Sequence, residues 1–185
     1  MRIISMLILT LLSVLSMADP ATMKEIKLPD GKTVETNTST IDSIPQKIRV
    51  LTPEELRKIS ALEGEGLRFV RAYLPGVKNP NLKDYDVAFG LWQGSADKKY
   101  TEHEVTDVLG CVLGGKMVAE LNMEWVEVTD EYGVDYAVRG KIAEVMSFPF
   151  SSVQKRIQKN ENEFLYAIYH TVKNTIDSGD YKSRE

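Results

Sequence analysis

Apolar positions recur at helical spacing in several stretches of the chain and alternate at strand spacing in one. Leu56, Ile59, Leu67, Val70 and Leu74 form a stripe on one face of a helix. Thr52-Pro53-Glu54-Glu55 opens that helix: Thr52 can cap it, Pro53 suits the first position, and Glu55 completes a capping box. Pro75-Gly76 ends it, and Asn79-Pro80-Asn81 is a loop. Lys83 to Gln93 reads as a short second helix with Gly94 as its breaker. Thr101-Glu102-His103-Glu104 is another capping box, opening a helix to about Leu121. Val105, Val108, Leu109, Val112, Leu113, Met117, Val118 and Leu121 make that helix apolar over much of its circumference, so it is expected to be buried. Gly110 and Gly114 share one of its faces. Glycine costs about 1 kcal/mol against alanine inside a helix, so a close approach there is expected, with the sheet as the neighbour.

Strand alternation follows. Val126 and Val128 alternate with Trp125 and Glu127, and Val134, Tyr136 and Val138 alternate with Asp135 and Arg139. A loop of Glu131-Tyr132-Gly133 pairs Asp130 with Val134, sets Val128 opposite Tyr136 and Val126 opposite Val138, and leaves one face apolar. It also sets Trp125 opposite Arg139, where a cation–π contact is possible. Ile142 to Phe148 completes a meander that stops at Pro149. Ser151 or Ser152 can cap a short helix through Ile157, and Lys159-Asn160-Glu161-Asn162 breaks it. Phe164, Leu165, Ile168, Tyr169, Val172 and Ile176 stripe a last helix, ended by Ser178-Gly179. The fold class is therefore α+β: helices, a three-stranded antiparallel meander, then C-terminal helices.

The start of the chain has a different pattern. Arg2 precedes an apolar run from Ile3 to Leu15, and Ser16-Met17-Ala18 places small residues ahead of Asp19. This is the layout of a Sec-type signal peptide over residues 1–18, shorter than the ~20 apolar residues that span a bilayer. The expected location is the periplasm or the exterior, with no membrane anchor after cleavage. No cysteine follows the apolar run to take a lipid. Residues 19–50 read as a polar arm or linker. Within it, Ile26 to Val34 carries the alternation and Asp30-Gly31 turn of a small hairpin, and Thr36 to Thr40 looks like linker. A single globular domain is expected over 51–180.

Composition narrows the function. The formal charge is −4, and removing Arg2 with the signal makes it one unit more negative. An acidic domain without a basic cluster does not suit nucleic acid or anionic lipid, which need Lys and Arg against phosphate. Cys111 is the only cysteine, so no internal disulfide forms, and its apolar neighbours mark it as a small core residue. His103 and Asp107 stand four apart on a helix, as two metal ligands would, but no third ligand is identifiable. Gly110 to Gly115 lies inside a helix, where its amides are already bonded, so it is no phosphate loop. No Gly-x-Ser-x-Gly elbow occurs. No cofactor is expected.

Besides metal binding through His103 and Asp107, two classes of function remain. Glu120, Glu124, Asp130 and Asp135 would give a glycosidase-type pair only if the fold brought two of them together. Trp92, Trp125 and Tyr132 lie near element ends or a loop, where aromatics either anchor a partner or pack in the core. With Asp130 and Glu131 they are the candidate binding residues, and Tyr132 at the hairpin tip is the one expected to be exposed.

The run Trp125 to Gly133, preceded by the glycine-containing apolar helix and followed by Phe148-Pro149 and Lys155-Arg156, resembles a bacterial family catalogued as domain of unknown function 3806. The resemblance covers roughly residues 85–175. It implies an α+β fold and a bacterial source, and brings no activity and no catalytic residues. The expectation is thus an exported, non-enzymatic protein-binding domain, for example a periplasmic inhibitor or immunity-type protein, whose partner is another periplasmic or secreted protein. The alternative is a cell-wall or glycan-acting enzyme.

Overall fold

A computed structural model of the chain describes residues 22–38 and 45–179. The expected signal peptide, part of the expected linker and residues 180–185 lie outside the described residues. The elements run β1 (Thr22–Lys27), β2 (Thr33–Thr38), β3 (Lys47–Val50), α1 (Pro53–Tyr73), α2 (Leu82–Gly94), α3 (Glu102–Glu120), β4 (Met123–Asp130), β5 (Gly133–Gly140), β6 (Met146–Ser147), α4 (Pro149–Lys159) and α5 (Leu165–Ser178).

The class is α+β, with one correction to its sheet. Instead of a three-stranded meander there is a four-stranded antiparallel sheet in the order β3-β4-β5-β6, and a separate β1-β2 hairpin. The added strand is β3, where Lys47-Ile48-Arg49-Val50 pairs with Thr129 to Val126. The expected third strand shrinks to Met146–Ser147 because the chain turns sharply after Gly140. A Cβ on Gly140 would lie 2.4 Å from the Ala143 carbonyl oxygen, and the Gly140 amide donates to Val145 at 2.8 Å. Thr36 to Thr38, expected as linker, continue β2 opposite Thr22 to Lys24.

The β4–β5 register is one residue tighter than the alternation suggests. Asp130 pairs with Gly133, so Glu131 and Tyr132 alone form the tip, and Gly133 takes φ +126°. Val126 therefore faces Ala137 and Trp125 faces Val138. Since partners share a face, the slip gives the sheet two apolar faces in place of one. Met123, Trp125 and Val138 join the helices in the main core. Val126, Val128 and Ala137 form a second cluster, with Met146 and Phe148 packed against it. The expected Trp125–Arg139 contact does not form: Arg139 pairs with Glu124 at 2.7 Å.

Helix α3 is the spine. Val105, Leu109, Leu113 and Met117 are fully buried, as an all-round apolar helix requires. Gly110 and Gly114 meet aromatic rings, not sheet backbone. A Cβ on Gly110 would lie 2.5 Å from Phe150 of α4, and one on Gly114 would lie 2.2 Å from the Trp125 indole. Thr52, Asn81 and Thr101 all close capping boxes. Helix α4 has no side-chain cap: Pro149 takes its first turn, Ser151 Oγ donates to Asp135 at 2.5 Å, and Ser152 Oγ donates to the Phe148 carbonyl. Helix α5 also lacks a cap of its own. Asp86 of α2 supplies one from across the core, accepting the Phe164, Leu165 and Tyr166 amides at 2.9, 2.8 and 3.0 Å. Burial pushes its carboxyl up to about 6, and the three amides oppose that rise.

The arm is tied to the domain at its turn. Leu28 is buried, Asp30 pairs with Lys83 of α2 at 2.7 Å, and Lys32 pairs with Glu163 ahead of α5.

Candidate acidic groove

The N-terminal halves of α1 and α3, helix α4 and the β4–β5 hairpin enclose a groove of about 720 Å³. Each wall follows from local sequence. Capping at Thr52 and Thr101 sets the phase of α1 and α3, so that Ile59 and Leu62 face Thr106, Asp107 and Cys111. Gly110 lets Phe150 lie against α3, and the turn of α4 then presents Gln154, Ile157 and Gln158. The hairpin contributes Glu127, Val134, Asp135 and Tyr136.

The floor is apolar and the rim is acidic. Ile59, Leu62, Phe150 and Ile157 supply the floor, while Glu55, Glu102, Asp107, Glu127 and Asp135 stand around it with Lys58 and His103. Two of these carboxylates are committed to the fold. Arg49 of β3 forks onto Glu55 at 2.8 and 2.9 Å and onto Glu127 at 2.9 and 2.5 Å. Glu55 also accepts the Thr52 amide at 2.7 Å. The Arg49 guanidinium and the Thr52 bonds together hold the Glu55 carboxyl well below the usual range. This cluster staples the edge strand to α1 and was missed in the sequence. Its only signal was the Lys-Ile-Arg-Val alternation ahead of the capping box.

Cys111 lines the groove's base but is fully buried, and burial pushes its thiol up to about 12. That is the state of an inert core cysteine, not a nucleophile. His103 Nε2 lies 3.4 Å from Asp107 Oδ2, so the expected pair does meet at the rim. Among the described residues no three His, Cys, Asp or Glu side chains are grouped to hold a metal ion.

The other candidate residues separate. Trp92 and Trp125 are core residues. Trp92 is wholly buried, donates Nε1 to the Tyr100 carbonyl at 2.9 Å and carries Lys98 over its ring. Trp125 packs on Phe150 above Gly114. Tyr132 is 81% exposed at the hairpin tip. Asp130 Oδ1 accepts the Tyr132 amide at 2.9 Å and shapes the turn, and Glu131 is exposed beside it. Asp130, Tyr132 and Asp135 line a second hollow of about 510 Å³. It shares Thr106, Val134, Asp135, Phe150 and Gln154 with the groove, so the two adjoin. Glu120 and Glu124 line neither. Glu120 is held low by Lys116 and the Tyr169 hydroxyl, and Glu124 is paired with Arg139.

An α+β domain with a central buried helix and a groove at its N-terminal end is the class this fold defines. Residues 91–169 match the model of the family described as Domain of unknown function (DUF3806). That segment holds the end of α2, all of α3, β4, β5, β6 and α4, and the start of α5. Three walls of the groove thus lie inside the matched segment, and the α1 wall with Arg49 lies outside it. No curated protein and no solved structure matches the chain.

Proposed function

We propose that the chain is an exported, non-enzymatic binding domain whose groove receives part of a protein partner. The observation that carries this reading is the groove itself: a depression lined by apolar side chains and carboxylates, adjoining a hollow lined by the exposed Tyr132. Apolar floors with a few placed polar groups are the usual lining of binding sites. Charge around the rim steers an oppositely charged partner and rejects like-charged ones. The export part of the proposal rests on the segment of residues 1–18. A periplasmic inhibitor or immunity-type protein is one concrete form of such a domain.

The enzyme alternative has less support. Of the four carboxylates considered for it, Glu120 and Glu124 are tied into pairs away from the groove, while Asp130 and Asp135 bond to their own hairpin and to Ser151.

The test is a pull-down of the tagged chain from periplasmic extract of its host, beside the charge-reversed variant Glu102→Lys/Asp107→Lys. The expected result is one stoichiometric partner with the wild type and its loss with the variant. Equal recovery with both would place binding elsewhere on the domain.

A further inference from the structure

We propose that the groove's occupant is an extended segment of basic peptide, Lys or Arg side chains alternating with aliphatic ones. This rests on the groove being the partner site and names the chemistry it selects.

The first argument is which polar groups are spare. Arg49 occupies Glu55 and Glu127, and Ser151 occupies Asp135. Glu102 makes no ion pair among the described residues, and Asp107 has only His103 beside it, a partner that is charged only when protonated. Lys58, the one Lys or Arg lining the groove itself, is paired with Glu54 at 3.1 Å, and Lys155 lines the adjoining hollow. Two α3 carboxylates therefore face the opening with no fixed cation against them, and an incoming Lys or Arg would supply one.

The second argument comes from α4. Gln154 and Gln158 both line the groove, and neither side-chain amide has a hydrogen-bond partner among the described residues. Each offers donors and an acceptor, the complement of a peptide group. Four residues of helix rise by ~6.0 Å, and two residues of extended chain by ~6.7 Å. A strand laid along α4 would thus bring every second peptide group to one glutamine, while its alternate side chains pointed to the apolar floor and the acidic rim.

The experiment is fluorescence anisotropy on the purified full chain. The probe is a labelled octapeptide alternating Lys and Leu, with a Glu/Leu octapeptide as counterpart and chitotetraose as competitor. The Lys/Leu peptide is expected to bind, more tightly at low salt. Glu102→Gln/Asp107→Asn is expected to weaken it about tenfold and flatten the salt dependence. Gln154→Ala/Gln158→Ala is expected to weaken it about tenfold at every salt concentration. All four positions are exposed or half-exposed, and circular dichroism checks that the variants fold. Equal binding of the two peptides, no binding of the Lys/Leu peptide, or its displacement by chitotetraose would overturn the inference. If the pull-down partner is lost on charge reversal yet the Lys/Leu peptide does not bind, this inference falls and the groove reading stands. If charge reversal leaves the partner bound, the groove reading itself falls.

Discussion

Gly114 offers a perturbation whose size can be worked from distances. A Cβ there would lie 2.2 Å from Trp125 Cη2, 2.3 Å from Cζ2 and 3.1 Å from Pro149 Cγ. Carbon atoms settle at ~3.5–4.0 Å, so the indole must retreat by more than an ångström. It has little room, since Trp125 is 5% exposed, leans on Phe150 and belongs to a strand bonded on both edges. Overpacking of this kind costs about 1–3 kcal/mol, and the gain in helix propensity returns about 1 kcal/mol. Gly114→Ala should therefore destabilise by up to about 2 kcal/mol, and Gly114→Leu by the top of the overpacking range or more. For a chain of this size each kcal/mol moves Tm by about 2–4 °C. Gly64 in α1 is the control, because a Cβ there meets nothing within 4 Å. Gly64→Ala should raise Tm. Trp125→Phe, which removes the two clashing carbons, should recover part of the Gly114→Ala loss in a double-mutant cycle. Thermal melts followed by far-ultraviolet circular dichroism report all five variants, the double mutant included. A Gly114→Ala protein as stable as Gly64→Ala would refute the packing argument.

The other predictions are shorter. Asp86 has a native carboxyl raised to about 6, so the native state holds a proton that the unfolded chain has lost between about pH 4 and 6. Its stabilising contribution is full below that window and falls as pH rises through it; the stability difference between wild type and Asp86→Asn should shift toward Asn by up to ~3 kcal/mol from pH 4 to 7. Unfolding curves at several pH values check this, and a shift toward wild type would contradict it. Cys111 should resist maleimide in the native protein and react fully in denaturant, read by intact mass; rapid native labelling would mean the groove opens to its base. On the proposed export, the mature protein should begin at Asp19, read by N-terminal mass spectrometry, and a retained residue 1 would rule out cleavage.

Much of the fold was legible because local chemistry fixes it. The capping boxes at Thr52 and Thr101, the proline and glycine stops and the all-round apolar α3 are each written in a few adjacent residues, whereas the box at Asn81 was read only as a loop. The sheet was harder. Alternation marks β4 and β5 as strands but is satisfied by either register, and only the core shows that Trp125 and Val126 are both buried, on opposite faces. β3 is four exposed residues, too short and too polar to declare itself without β4 beside it. The candidate site divided in the same way. Tyr132 was readable as exposed from its place at a tip, and His103 and Asp107 from their helical spacing. Trp92 and Trp125 were ambiguous because an aromatic at an element end serves a core or a surface equally well. The groove depends on Gly110 admitting Phe150 and on Arg49 bridging α1 to β4, contacts between distant residues that no local pattern encodes.

The central claim, that the groove is where a partner binds, is tested most directly by photocrosslinking in the native host. A benzoylphenylalanine placed at Gln154, on the groove wall, is compared with one at exposed Lys78, which does not line it. The account expects a single crosslinked species from position 154, abolished by Glu102→Lys/Asp107→Lys, and none from position 78. The same species from both positions, or from position 78 alone, would contradict it.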